Sequence, residues 1–219
     1  MKLIDLSLPM PARQEGRETV VSRTLKIGSV DTAYHALVYD FAFGSMAGTY
    51  IDLPGHIVET DDGDDSLNFP PEKLFRVKSA VIHLDKNDGD GPVSSEELEA
   101  ACGRNKTVPA LVINALGRKR FDEIEERSVY LAQDAVSWII ARGVRLLVSD
   151  IYESKAIEGV FYRLFDAGTA TVCHPVNLHL LKAGQSRITV FFLPFASATQ
   201  VPCRLVAEID DSKPRGEPS

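Results

Sequence analysis

The sequence has little of what marks secreted, membrane-spanning and disulfide-rich proteins. Its three cysteines, Cys102, Cys173 and Cys203, are too few and too scattered for a disulfide framework or a paired Cys-x-x-Cys zinc module. No apolar run approaches the roughly 20 residues that cross a bilayer, and the first residues carry an acid, Asp5, where a secretory signal would be apolar. We therefore expect a cytoplasmic protein with no membrane partner.

Basic residues are also in the minority. The chain of 219 residues has 24 Lys and Arg against 31 Asp and Glu, a formal charge of −7, whereas a nucleic-acid surface needs clustered positive charge. The composition is otherwise globular, with 44% apolar and 25% charged residues. Length and composition predict one domain over residues 1–210 and a polar, proline-containing tail at 211–219.

The apolar patterns predict an α/β fold. Alternation over residues 2–8 and several strand-like segments over 20–43 predict strands, the latter joined as hairpins. Ser94 or Ser95 is expected to cap a helix that ends near Gly103. A helical pattern at 130–143 lies between two short apolar strands, which implies a parallel crossover, and a further helix is expected over 160–167.

The segment SMAGTYIDLPGH, residues 45–56, is the most informative for function. In an extended chain its alternate residues share one face, so a carboxylate from Asp52 and an imidazole from His56 would contact one ligand. Gly48 would leave room for a close approach to the backbone. The alternative is a strand end where Asp52 caps a turn and His56 is a surface histidine. The alternating set is Met46, Gly48, Tyr50, Asp52, Pro54 and His56.

Several segments spread along the chain occur in a characteristic order: KLIDLS, GTYIDLPGH, SSEELEAA, YLAQDAVSWIIARGVRLLVSD and VPCRLVAEI. In this order they resemble the cyclase family that includes the kynurenine formamidases (arylformamidases). The resemblance implies a single-domain, swivelling β/β/α fold with mixed sheets. It also implies hydrolysis of small amides or related ring-opening substrates with a metal pair, usually zinc. The family signature is H-x-G-T-H-x-D-x-P-x-H.

The signature is only partly kept in this chain. By the resemblance, Asp52 corresponds to the bridging carboxylate and His56 to the histidine that acts as general acid or base. Met46 and Tyr50, however, stand where the first two metal-binding histidines belong.

Two further family ligands are replaced in the second half of the chain. FYRLFDAG aligns with the family's His-x-x-Leu-Leu-x-Ala-Gly, which puts Phe161 at the histidine. CHPVNL aligns with the following Glu and Asn-Leu, which puts Cys173 at the glutamate with His174 beside it.

These replacements predict a degenerate metal site. Thioether and phenyl groups do not replace imidazole as zinc ligands, so we expect no zinc pair and no other cofactor. Cys173, His56 and Asp52 have the chemistry of a thiol nucleophile, a base and an orienting acid. The same three residues offer a single-zinc alternative, and a further alternative is that Cys173 is a small core residue.

Two functions follow from the resemblance and from these residues. The first is a hydrolase of a small amide, lactone or related substrate, with His56, Asp52 and Cys173 catalytic and other side chains lining the substrate pocket. The second is a non-catalytic, small-molecule-binding relative, a pseudoenzyme, whose aromatic-lined pocket suits an aromatic ligand. A homo-oligomer is expected in either case. The expected pocket residues are Met46, Tyr50, Phe161 and His174.

Overall fold

The computed structural model describes residues 2–84, 86, 91–103, 108–120, 123, 129–151 and 159–209. The tail predicted at 211–219 lies outside this part of the chain. The strands are β1 (Lys2–Asp5), β2 (Arg13–Gln14), β3 (Arg17–Glu18), β4 (Val20–Gly28), β5 (Ala33–Phe41), β6 (Tyr50–Asp52), β7 (Val77–His83), β8 (Pro92–Val93), β9 (Ala110–Asn114), β10 (Tyr130–Leu131), β11 (Leu146–Ser149), β12 (Ala170–Cys173), β13 (Gly184–Phe192) and β14 (Gln200–Ile209); the α-helices are α1 (Ser95–Cys102), α2 (Gln133–Ala141) and α3 (Val160–Asp166). Short 3-10 helices cover Pro54–His56, Val58–Thr60, Pro71–Lys73 and Leu178–Leu180.

Seven strands close into a barrel in the order β14-β13-β7-β9-β11-β12-β6. The ring closes because β6 pairs with β12 on one side and with β14 on the other. Strands β7, β9, β11 and β12 run parallel to their neighbours in this group, and the remaining pairings of the ring are antiparallel. Strand β1 pairs antiparallel with the C-terminal end of β14 and lies outside the ring. The predicted mixed α/β fold is confirmed.

Each parallel connection carries one helix, as the alternating strand and helix patterns predict. Helix α1 follows β7, α2 lies between β9 and β11, and α3 lies between β11 and β12. Strands β9, β11 and β12 are buried along their whole length, because one face fills the barrel and the other lies under the helices. One apolar cluster, with Ile51 and Val112, fills the barrel; a second, with Ile113 and Leu164, lies beneath the helices.

The helix boundaries follow the local sequence signals. Ser94 Oγ accepts a hydrogen bond from Glu97 N at 3.2 Å, and the Glu97 carboxylate accepts one from Ser94 N at 2.8 Å. This reciprocal pair is a capping box, so α1 begins where the serine predicts. Gly103 follows the last residue of α1 with φ of 58°, which confirms the predicted stop. No helix in the described ranges is long and apolar enough to cross a membrane.

A separate two-stranded ribbon is formed by β4 and β5, which pair along nine residues each. This ribbon, residues 20–41, is called the arm below. It confirms the hairpin predicted in this region, although the arm belongs to no larger sheet among the described residues.

Candidate functional site

Strand β6 holds Asp52 in the wall of the barrel. Strand β6 pairs with β12 and with β14, and this pairing places Asp52 opposite Thr171 of β12 and opposite Gln200 of β14. The residue is 4% exposed. Just before the strand, Gly48 has φ of 69°, and a Cβ there would lie 2.8 Å from the carbonyl oxygen of Leu8. The close approach that the glycine predicts is therefore that of the chain's own N-terminal segment.

The expectation that residues 46–56 form one extended face is wrong. The strand covers only Tyr50–Asp52, and a 3-10 turn begins at Pro54. Proline has a fixed φ and no N–H to lose at the start of a helical turn, so the chain bends there. The turn leaves His56 exposed, with its ring edge-to-face against Phe165 at 6.4 Å between centroids.

Gln200 joins Asp52 to His56. Its Nε2 donates to Asp52 Oδ1 at 2.7 Å and lies 3.2 Å from His56 Nε2, while its Oε1 accepts a hydrogen bond from Ser45 Oγ. With both amide hydrogens donated, His56 Nε2 is an acceptor and the ring proton is assigned to Nδ1. Sequence reasoning missed Gln200, since no local pattern distinguishes it; only its register opposite Asp52 does.

Burial governs the protonation of Asp52. Removal from water raises the pKa of its carboxyl above the ordinary value, and this effect exceeds the opposing hydrogen bond from Gln200, the attraction of His56 and the hydrogen bond from Cys173. The site therefore contains a carboxylate that is costly to keep charged and that is stabilised by its polar neighbours.

Cys173 lies beside Asp52 on the neighbouring strand. Its Sγ is 3.7 Å from Asp52 Oδ2, and Thr171 Oγ1 is 3.9 Å from the same sulfur. Burial and then the negative charge of Asp52 raise the pKa of this thiol far above its ordinary value. A raised pKa favours the thiol over the nucleophilic thiolate, so these surroundings work against the thiol-nucleophile hypothesis.

The residues expected to line a substrate pocket are placed in different surroundings. Tyr50 is buried, and its ring meets the His174 ring edge-to-face at 4.9 Å between centroids. Phe161 stacks on Phe165 at 5.8 Å, whereas Met46 is 53% exposed. His174 has φ of 57° and follows the end of β12, so it does not continue the alternation of the strand.

A small cavity of about 30 Å³ lies behind the site, and its lining includes Ser149, Phe161, Thr171 and Cys173. The structure thus brings Phe161 and Cys173 together, as their alignment with family ligands implies. A water needs at least 10–15 Å³ of such volume, so the cavity fits one or two waters. It is too small for an aromatic ring.

The described residues do not fit the metal pair that the family resemblance implies. Zinc in proteins takes imidazole, thiolate or carboxylate ligands, but Tyr50 contributes a phenol, Phe161 a phenyl ring, and Met46 an exposed thioether. In the described part of the chain, no group of three or more His, Cys, Asp or Glu side chains is placed to hold a metal ion. Asp52, His56 and Cys173 therefore do not provide the ligand set that a single zinc would need.

A sequence model of the cyclase family, described as "Putative cyclase", matches residues 4–154. This match covers more than half of the chain, and the chain belongs to this family. No curated protein matches the sequence.

Solved structures share the fold over almost the whole of both chains. Isatin hydrolase A from Labrenzia aggregata, bound to benzyl benzoate, has a TM-score of 0.67 at 17% identity and covers 94% of this chain and 93% of its own. A predicted metal-dependent hydrolase from Bacillus stearothermophilus has a TM-score of 0.65 at 16% identity, with 94% and 97% covered. Isatin hydrolase A from Ralstonia solanacearum has a TM-score of 0.66 at 16% identity, with 94% and 91% covered.

Proposed function

We propose that this member of the cyclase family is a hydrolase of a small amide, lactone or related substrate, and that its own side chains act without a zinc pair. The observation that carries the proposal is the arrangement of Asp52, Gln200 and His56, in which one amide nitrogen contacts a buried carboxylate and an exposed imidazole. The names of the structural neighbours, isatin hydrolase and metal-dependent hydrolase, support a hydrolytic reaction. We also propose that the chain acts in the cytoplasm and as a homo-oligomer.

His56 is the proposed general base. Its ring is exposed, so water and substrate can reach it, and imidazole is the side chain that most often acts as a general base. It takes one proton from a water whose oxygen bonds to the carbonyl carbon of the substrate. The bond from that carbon to the leaving nitrogen or oxygen then breaks, and His56 returns the proton to the leaving atom.

Gln200 is the proposed positioning residue. Its contact with His56 Nε2, at 3.2 Å, is longer than its contact with Asp52 Oδ1, at 2.7 Å. The weaker contact is the one that must open when Nε2 accepts a proton, because a protonated nitrogen cannot accept from the amide. The stronger contact keeps the amide on Asp52 during this exchange.

Asp52 is proposed to stabilise the positive charge that His56 gains. Burial raises the pKa of Asp52 on balance, and attraction to His56 is one of the smaller effects that oppose this rise. A buried carboxylate acts on a nearby charge with less screening by solvent than a surface one.

Direct attack by water is preferred to attack by Cys173, because the pKa of the thiol is raised. In this scheme Cys173 donates its S–H to Asp52 and closes the wall of the small cavity. Substrate would contact the exposed side of the site, at His56 and Met46. Tyr50, Phe161 and His174 would support the site from behind.

The experiment uses the purified full-length chain, with isatin and an N-formyl aromatic amide as probes. Hydrolysis is followed with added chelator and with added zinc. We expect turnover that persists in chelator and does not rise with zinc. Activity that chelator removes and zinc restores would contradict the metal-free mechanism. Absence of hydrolysis, together with tight binding of an aromatic compound, would favour the non-catalytic binding protein instead.

A further inference from the structure

A pocket with basic walls lies where β9 begins and β14 ends. Its volume is about 620 Å³, within the range of about 300 to 1,000 Å³ that is usual for small-molecule sites. Strands β7 and β13 supply much of its lining. Neither strand is a neighbour of β6 in the ring, so this pocket, called the basic pocket below, is separate from the site around Asp52. Its polar walls include Lys78, Ser79, Lys182, Arg187 and Glu208, and its apolar walls include Val108, Leu181 and Ile209.

The strand pairing holds two cations of the basic pocket side by side. Lys78 of β7 lies directly opposite Arg187 of β13, and opposed residues of an antiparallel pair have Cβ atoms about 4.5 to 5.5 Å apart. Like charges in this arrangement destabilise a sheet. Lys182, just before β13, adds a third positive charge to the walls. None of these three side chains forms an ion pair with a carboxylate of the described residues.

Glu208, the acid in the walls, is already bound to another residue. Its two carboxylate oxygens accept hydrogen bonds from Arg76, from Nε to Oε1 at 2.7 Å and from Nη2 to Oε2 at 2.9 Å. The hydrogen bonding of Arg76 is the largest of the effects that lower the pKa of Glu208, and the attraction of Arg187 is the smallest. Glu208 therefore balances Arg76. The three cations of the pocket leave its described walls positively charged, although the whole chain has a formal charge of −7.

The basic pocket also contains a buried hydroxyl group that needs a partner. Ser79 is 1% exposed, and its Oγ has no hydrogen-bond partner among the described residues. Ser79 lies opposite Ser186 of β13, whose own hydroxyl donates to the carbonyl of Glu208 at 3.0 Å. Buried hydroxyl groups are usually hydrogen-bonded, and a serine side chain can turn between three rotamers. Ser79 can therefore offer a hydrogen-bond donor to a group that enters the pocket.

We propose that the basic pocket binds a small organic phosphate, in which a phosphate monoester is attached to an apolar group. Such a phosphate carries a charge of about −1.5 to −2 at neutral pH and has three acceptor oxygens, which suits three cations better than the single charge of a carboxylate does. Bound between Lys78 and Arg187, it would relieve the repulsion of the two like charges. The apolar walls at Leu181 and Ile209 would contact the organic part. This proposal does not depend on the proposed catalytic function.

Isothermal titration calorimetry of the purified full-length chain with phenyl phosphate tests the proposal. We expect a dissociation constant below about 1 mM at pH 7.5 and low salt. Inorganic phosphate lacks the apolar part and benzoate carries only one charge, so each should bind about tenfold more weakly or worse. The affinity for phenyl phosphate should fall by up to about tenfold between pH 7.5 and pH 5, because the phosphate takes up its second proton near pH 6. Added salt should weaken the binding by screening the charges.

Variants locate the bound phosphate. The double variant Lys182→Gln with Arg187→Gln should weaken phenyl phosphate binding by about tenfold or more, because it removes two charge-assisted contacts. Ser79→Ala should weaken binding by about three- to tenfold and yet raise the melting temperature of the unliganded protein, since it removes an unsatisfied buried hydroxyl. Lys119→Gln, at an exposed lysine outside the pocket, should bind like the wild type, and so should His56→Ala. Circular dichroism checks that each variant is folded.

Failure of phenyl phosphate to bind at about 5 mM, well above the expected dissociation constant, would overturn the proposal. So would an affinity that the folded double variant leaves unchanged, or one that His56→Ala abolishes, because the probe would then occupy another site. Inorganic phosphate that binds as tightly as phenyl phosphate would overturn the assignment of an organic ligand. Equally tight binding of benzoate would overturn the choice of phosphate, and wild-type affinity in Ser79→Ala would overturn the role of the hydroxyl group.

Discussion

Gln200 donates a hydrogen bond to Asp52 across the strand pairing that closes the barrel, although the two residues are 148 positions apart in sequence. Strands β6 and β14 place the two residues opposite each other, and a hydrogen bond of 2.7 Å joins their side chains. Closure of the barrel and assembly of the candidate site are therefore one structural event. A substitution that loosens this pairing should affect stability and activity together, whereas one that removes only the side-chain bond should affect activity more.

Gln200→Ala should lower kcat by about ten- to a hundredfold with a smaller change in KM, because the loss of the amide leaves His56 and Asp52 less well positioned. Steady-state kinetics on a substrate found active will measure both constants. Gln185→Ala, at an exposed glutamine of β13, is the matched control and should leave both constants unchanged. A Gln200→Ala enzyme with wild-type kcat would contradict the positioning role.

His56→Ala should lower turnover by about a hundredfold to ten-thousandfold, the usual contribution of a general base. His179→Ala provides the control, since this histidine lies in the separate turn Leu178–Leu180. The comparison requires only initial rates at saturating substrate. Equal rates in His56→Ala and wild type would remove His56 from the mechanism.

Cys173→Ala should retain activity within about threefold if water attacks directly, because the thiol then only packs and donates to Asp52. Burial raises the pKa of all three thiols, Cys102, Cys173 and Cys203. The native protein should therefore react slowly with iodoacetamide at pH 8, and urea should expose three alkylation sites by mass spectrometry. Complete loss of activity in a folded Cys173→Ala protein would support the thiol nucleophile.

Asp150 should make the protein less stable as the pH rises. Its buried carboxylate accepts hydrogen bonds from Ala115 N at 2.8 Å and Leu116 N at 3.0 Å, yet burial raises its pKa from 3.8 to about 6. Because the folded pKa is the higher one, the folded state binds the proton more tightly. The stabilisation is thus complete below pH 3.8 and is lost as the pH rises through about 6, a change of up to about 3 kcal/mol.

Urea unfolding of Asp150→Asn between pH 4.5 and 7.5 will measure this contribution. Relative to the wild type, the variant should gain about 2 kcal/mol in unfolding free energy over this range. Its absolute stability also reflects the poorer acceptor that the amide offers to two backbone N–H groups. Asp166→Asn, at an exposed residue of α3, is the control for the Asp-to-Asn substitution itself. Parallel curves for Asp150→Asn and wild type would show that Asp150 has an ordinary pKa.

The protein should not bind a pair of zinc ions. The phenol of Tyr50, the phenyl ring of Phe161 and the exposed thioether of Met46 leave too few ligands, so elemental analysis of purified protein should find well below one zinc per chain. Chelator should leave the melting temperature unchanged. Two tightly bound zinc ions per chain, whose release by chelator lowers the melting temperature, would contradict this prediction.

Much of the fold could be predicted from local sequence. Ser94 with Glu97 sets the start of α1, Gly103 marks its end, and the apolar runs of β9, β11 and β12 indicate strands buried on both faces. These signals act over a few residues, through caps, backbone angles and the periodicity of side chains. The family resemblance, carried by motifs such as GTYIDLPGH, was also available from sequence alone, and so were Asp52 and His56 as candidates.

The site itself was decided by tertiary structure. Sequence alternation suggested that Met46, Tyr50 and His56 share a face with Asp52, but Pro54 turns the chain and Met46 lies exposed. Gln200 reaches Asp52 only because a seven-stranded ring closes through β6 and β14, and the register of that closure depends on how the whole core packs. Contacts between residues 148 positions apart leave no local periodicity to detect. The sequence by itself therefore determined the helices, the strands and the chemical types available, whereas the closure of the barrel determined which of them meet.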